Sequence, residues 1–181
     1  MKKVFIVLII FSIIILNSCF KRGDIFFNDD KIIDKSIEKI IEAINKKDVE
    51  DIKIIFCNEV LNEYINFEEQ VVVLFEFIQG EIESWKRTGG PSTSLGNNDD
   101  GSGRIWKVIQ ATYDIETNKG KYHVSLQEIL KFSQDSNKIG ISSFCIINAN
   151  DWNEDYNYWG GIGSTTKFEI LGISINHGND F

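Results

Sequence analysis

The sequence predicts an α+β fold in which N-terminal helices pack on a curved antiparallel sheet of four to five strands. Two observations predict it. Between residues 31 and 79 the apolar residues recur at spacings of three and four, the period of a helix with one buried face. From Glu81 onward the period drops to two and turn residues appear at regular intervals, as in a meander of strands. Helices first and strands after them make an α+β domain rather than an alternating α/β one. A third feature, residues 1–18, stands outside this domain.

Met1-Lys2-Lys3 is a short basic start, and an apolar run from Val4 to Leu16 follows it with only Ser12 interrupting. A membrane-spanning helix needs about 20 apolar residues. The run is shorter and has the length of a signal-peptide core. It ends in Leu16-Asn17-Ser18-Cys19, which resembles the lipobox of bacterial lipoproteins. That resemblance implies cleavage before Cys19, a diacylglycerol on its sulfur, and a protein held at the extracytoplasmic face of the cell membrane by fatty acyl chains of the palmitate kind. Residues 20–30 then form a tether that, fully extended, reaches at most about 40 Å.

Removing 18 of the 181 residues leaves 163, enough for one domain, assigned to residues 31–181. Losing Lys2 and Lys3 takes the net charge from −8 to −10. Nucleic-acid binding needs a basic face, so no nucleic-acid partner is expected. A single proline and the absence of low-complexity tracts argue against a disordered chain. Cys57 and Cys145 each lie in an apolar run and read as buried free thiols, although a disulfide is permitted outside the cytoplasm.

The elements follow in order. Ile33, Ile37, Ile40, Ile41 and Ile44 line one face of a first helix, with Asp29, Asp30 and Asp34 at its positive end. Asp48 caps a short second helix carrying Val49, Ile52 and Ile55. Asn58 starts a third helical stretch, whose stripe of Phe67, Val71, Leu74, Phe75 and Ile78 ends at Gly80. Strands are expected over Ile82–Arg87, Arg104–Glu116, Lys121–Phe132, Ile139–Asn148 and Lys167–Ile175. Between the first two lies a polar, Gly-rich loop, Gly89–Gly103. On the third strand Tyr122, Val124, Leu126, Leu130 and Phe132 face the core, and Lys121, His123, Ser125 and Gln127 face solvent.

The run from about Ile33 to Asn148 resembles a family of bacterial lipoproteins catalogued as domain of unknown function 5104. The stretches that carry the match are Asn45-Lys46-Lys47-Asp48, Ile55-Phe56, Leu74-Phe75-Glu76-Phe77 with Gly80, Thr117-Asn118-Lys119-Gly120-Lys121-Tyr122, and Asn137 to Ser143. The resemblance implies a cone-like fold similar to nuclear transport factor 2. Cone folds of that superfamily place a strand among their helices, and no alternating segment stands there in this sequence. Such folds host both enzymes and plain binding domains, so the resemblance implies a fold and not an activity.

Chemical motifs are weak. In the Gly-rich loop Asn98, Asp100 and Ser102 alternate, but the distal position where a calcium loop needs Glu is Ile109. The loop lacks the Lys-Ser/Thr ending of a phosphate-binding loop. With His123 and His177 the only histidines, a His-rich metal site is excluded. Ser125, His123 and Asp114 compose a triad only on paper, with no strained nucleophile turn. Carboxylate pairs such as Asp114 and Glu128 carry little weight in so acidic a chain. Trp85 and Trp106 read as core or edge packing, or as walls of a ligand pocket. The segment Asn150–Gly163 holds Trp152, Tyr156, Tyr158 and Trp159 among Asp, Asn and Glu. These four are the candidate binding residues. The segment reads as a cover over one end of the sheet, a protein interface, or a glycan-binding surface.

No catalytic residue, metal or cofactor is assigned. The expectation is a membrane-anchored, non-enzymatic binding or interaction domain with a protein or small-molecule ligand. The alternative is a small-molecule enzyme using the pocket of the cone.

Overall fold

The computed structural model describes residues 28–63, 66–97, 105–151 and 171–176. It is an α+β domain. Helix α1 spans Asp29–Lys46, α2 Val49–Ile55, α3 Asn58–Glu63 and α4 Phe67–Phe77. Strands β1 (Ile82–Asn97), β2 (Ile105–Thr117), β3 (Lys121–Phe132), β4 (Gly140–Asn148) and β5 (Gly172–Asn176) follow, with a turn of 3₁₀ helix, Ser136–Lys138, before β4.

Helix α1 buries the five isoleucines expected of it. It packs on β1, β2 and β3, while α4 lies against β5 and α3 against β4. Its last residues are fixed twice. Lys47 takes a left-handed conformation, φ 55°, that ends the helix. Asn45 then grips the start of β1, accepting from Ile82 N at 2.9 Å and donating to Ile82 O at 3.1 Å. Asp48 caps α2 as expected, its carboxylate accepting from Asp51 N at 3.0 Å. Helix α1 begins at Asp29, two residues inside the stretch 19–30 assigned to the tether. The reason is that Asp29 is buried against the sheet, 2% exposed. The third helical stretch is two helices, α3 and α4, and α4 carries the predicted stripe of Phe67, Val71, Leu74 and Phe75.

The sheet runs β1-β2-β3-β4-β5 in chain order. The first four strands pair antiparallel, but β5 pairs parallel to β4, so the sheet is not the wholly antiparallel meander expected. Parallel neighbours need a crossover connection rather than a hairpin, and periodicity within a strand carries no information about its direction. The first strand is also far longer than expected. It continues through Gly89-Gly90-Pro91 to Asn97, where the sequence suggested a loop from residue 89. Proline is tolerated because β1 is an edge strand, and shifts of register on both sides of Gly89 absorb the irregular residues. Gly90, at φ +79°, leaves no room for a Cβ, which would meet Gln110 O at 2.6 Å.

One side of β3 was expected to face solvent. Lys121 does, but Ser125 and Gln127 are buried, as are Ser143, Cys145 and Ile147 of β4 on the same face. Alternation tells which side a residue faces, not whether that side is covered. Cys57 and Cys145 are both free and buried. No described helix is long and apolar enough to cross a membrane.

The segment between α2 and α3 also touches the sheet. Phe56 forms an isolated parallel bridge to Ile141, and Cys57 N donates to Ile141 O at 2.9 Å. The backbone approach is so close that a Cβ on Gly140, at φ +129°, would lie 3.0 Å from Cys57 N.

Candidate functional site

Among the described residues two polar regions stand out, and they differ in whether their side chains have partners there. The first lies between α1 and the sheet. Lys107 on β2 pairs with buried Asp29 at 2.5 Å, and Thr93 donates to the same carboxylate at 2.8 Å. Arg87 on β1 lies 2.6 Å from Asp30 and 3.4 Å from Asp34. The Tyr113 hydroxyl donates to Asp34 at 3.0 Å, and Ser36 donates to Glu128 at 2.7 Å. Burial, with the Asp34 carboxylate beside it, pushes the Tyr113 phenol up from its ordinary value. Burial likewise raises the Glu128 carboxyl, against the opposing pull of Ser36 and Lys39. Each charge here answers another or a hydroxyl, and the arrangement fastens α1 to the sheet.

The second region is a cleft of about 460 Å³ at one end of the sheet. Three elements converge on it. The last turns of α4 and the residues after them contribute Val73, Glu76, Phe77 and Gln79. The β2–β3 hairpin contributes Lys119, Gly120 and Tyr122, and the end of β4 contributes Asn148, Asn150 and Asp151. The volume is within the roughly 300–1,000 Å³ usual for small-molecule sites.

Its walls are braced from behind. The Tyr122 hydroxyl accepts from Gln79 N at 2.9 Å and donates to Phe77 O at 3.3 Å, tying the hairpin to the end of α4. The Phe77 and Tyr122 rings meet edge to face at 5.6 Å. Thr117 Oγ1 accepts from Lys119 N at 3.1 Å and Gly120 N at 2.9 Å, closing the hairpin. Asn148 Oδ1 accepts from Asn150 N at 2.9 Å, and Asp151 N donates to Asn148 O at 3.0 Å. Gly80, at φ +85°, passes so near the hairpin that a Cβ there would meet Asn118 Oδ1 at 2.2 Å. With the backbone held in this way, the side chains of Glu76, Gln79, Lys119, Asn150 and Asp151 make no hydrogen bond among the described residues. All five are exposed and line the one concavity.

A smaller groove of about 200 Å³ lies elsewhere, lined by Trp106, Val108, Ile129, Phe132 and Leu171, with Glu59 and Lys138 paired at its rim.

The residues singled out from sequence fall as follows. Cys19, Trp152, Tyr156, Tyr158, Trp159 and His177 lie outside the described residues, as do residues 98–104 of the Gly-rich loop. His123 Nδ1 and Asp114 Oδ1 are 2.5 Å apart across β3 and β2. Ser125 is buried, two residues along β3 from His123. Asp114 and Glu128 lie on opposite faces of the sheet, since Glu128 meets α1 and Asp114 meets His123. Trp85, partly buried beside the core, and Tyr113 meet edge to face at 5.6 Å. Trp106 lies over Gly96, where a Cβ would meet the indole at 2.0 Å. Among the described residues no cluster of three or more His, Cys, Asp or Glu could hold a metal ion.

Residues 39–149 match the family described as Domain of unknown function (DUF5104). The chain belongs to that family. No curated protein matches the chain in sequence. The matched span contains all of the cleft except Asn150 and Asp151. Glu76, Phe77, Lys119, Gly120 and Tyr122, which line the cleft, all come from the short stretches that carry the resemblance. In sequence those stretches read as turns and helix ends. What sequence reasoning missed was that Tyr122 and Gly80 bring them together.

Proposed function

We propose that this member of the DUF5104 family is a membrane-anchored, extracytoplasmic binding domain without catalytic activity, and that the cleft beside the β2–β3 hairpin is its binding site. One observation carries the reading. The ionisable groups beneath α1 are consumed in fastening the helix, whereas five exposed polar side chains of the cleft stand on a braced backbone and make no hydrogen bond among the described residues. Unpaired donors and acceptors carried on a preformed backbone concavity are what a ligand site needs. The lipobox ending in Cys19 supports anchoring at the outer face of the membrane. The aromatic residues Trp152, Tyr156, Tyr158 and Trp159 follow Asp151 of the cleft in sequence and are proposed as part of the binding surface. The Phe56–Ile141 bridge, where a cone fold carries a strand among its helices, supports a cone-like fold similar to nuclear transport factor 2.

The enzyme reading has one observation in its favour, the buried Glu128 with its raised affinity for a proton. Its hydrogen-bond partner is Ser36 of α1, and neither cleft described above includes it.

Two experiments test the proposal. Metabolic labelling with a palmitate analogue should mark wild type and not Cys19→Ala; equal labelling rejects the anchor. Affinity capture by the intact lipoprotein from its own membranes should retain a ligand that Gln79→Ala/Asp151→Ala does not. Equal retention by both forms places binding elsewhere and rejects the cleft.

A further inference from the structure

We infer that the ligand of this cleft is a neutral, polyhydroxylated one, a saccharide of two or three units, an inference that rests on the binding reading above. Among the described residues the cleft offers two carboxylates, Glu76 and Asp151, one ammonium, Lys119, and the amides of Gln79 and Asn150. A phosphorylated or otherwise anionic ligand would meet two like charges for one opposite charge. A purely apolar ligand would strand five hydrogen-bonding groups without water, and each stranded group opposes binding. Vicinal hydroxyls suit the set, because each hydroxyl both donates and accepts. They donate to Glu76 and Asp151 and accept from Lys119 and the amide nitrogens. Val73 and the half-buried Phe77 ring add an apolar strip to the same wall, against which the C–H face of a sugar ring packs. The volume of about 460 Å³ holds a short oligomer rather than a single small ion.

The bracing matters for this class of ligand. Sugars are well hydrated, and a site that had to order its own side chains and loops would lose the gain from replacing that water. Here Tyr122, Thr117 and Asn148 hold the backbone beneath the cleft before any ligand arrives.

The test uses the full chain in detergent micelles and three soluble probes of differing linkage and substitution: maltotriose, cellotriose and the trimer of N-acetylglucosamine. Saturation-transfer NMR and titration calorimetry should detect at least one of them on wild type. Asp151→Asn and Gln79→Ala, both on exposed side chains, should melt as wild type does. Each should weaken that probe roughly tenfold or more, as expected for loss of a hydrogen bond at a charged or amide group. A probe that binds both variants as tightly as wild type overturns the assignment to this cleft. If no probe binds, the membrane capture experiment is repeated with extract treated with periodate, which cleaves vicinal diols. Abolished capture supports the saccharide class. Capture that survives periodate yet still fails with Gln79→Ala/Asp151→Ala overturns the saccharide and leaves the binding site standing. Capture that is the same for wild type and the double variant overturns both.

Discussion

Replacing Lys107 by Met should be among the most damaging single changes to this domain outside its apolar core. Asp29 sits at the first turn of α1, 2% exposed, and its carboxylate is held by Lys107 at 2.5 Å and Thr93 at 2.8 Å. Methionine keeps the length and apolar stem of lysine but removes the charge. The carboxylate is then left buried with the Thr93 hydroxyl and the positive end of the helix, and neither replaces a full opposite charge. Breaking a buried pair from one side costs about 3–5 kcal/mol. At about 2–4 °C per kcal/mol for a domain of this size, that lowers Tm by roughly 6–20 °C. The partner change separates this mechanism from a packing defect. Asp29→Asn in the Lys107→Met background removes the orphaned charge, so the double variant should recover most of the loss. Urea titration followed by tryptophan fluorescence measures all four forms of the cycle. If Lys107→Met lies within about 1 kcal/mol of wild type, the pair behaves as an exposed one, and the account of α1 as electrostatically fastened is wrong.

Glu128→Gln should raise stability at neutral pH and leave it unchanged in acid. Burial raises the folded-state carboxyl, so stability from this group is present at low pH and is lost as pH rises through the folded value; the amide keeps an acceptor for Ser36, and parallel pH–stability curves for the two proteins would reject the assignment. Burial raises the thiols of Cys57 and Cys145, so neither should react with iodoacetamide in the native state. Melts with and without reductant should superimpose, since loss of a native disulfide would cost about 2–5 kcal/mol. Gly140→Ala should destabilise by more than about 1 kcal/mol, because φ is +129° and Cys57 N lies 3.0 Å from the new Cβ. Gly120→Ala should be close to neutral by the same melt, since its new Cβ meets nothing nearer than Tyr122 Oη at 3.7 Å.

Sequence alone determined the class of fold, because burial of one face imposes a period on each element that can be read one residue at a time. The isoleucine stripe of α1, the Asp48 cap, the apolar stripe of α4, the bounds of β3 and the buried free thiols all follow from local rules of that kind. It marked the stretches Leu74–Gly80 and Thr117–Tyr122 as distinctive without showing what they do, since nothing in either stretch names the other. The tertiary structure decided three things. It ran β1 on through Gly89-Gly90-Pro91, because an edge strand tolerates residues that a central one rejects. It set β5 parallel to β4, a matter of chain path rather than of side-chain pattern. And it brought Gln79, more than forty positions before Tyr122, onto the tyrosine hydroxyl, so that a helix end, a hairpin and the end of a distant strand close around one cleft. A hydrogen bond across that distance leaves no periodic trace in the residues that make it, and the site became legible only when the sheet had folded them together.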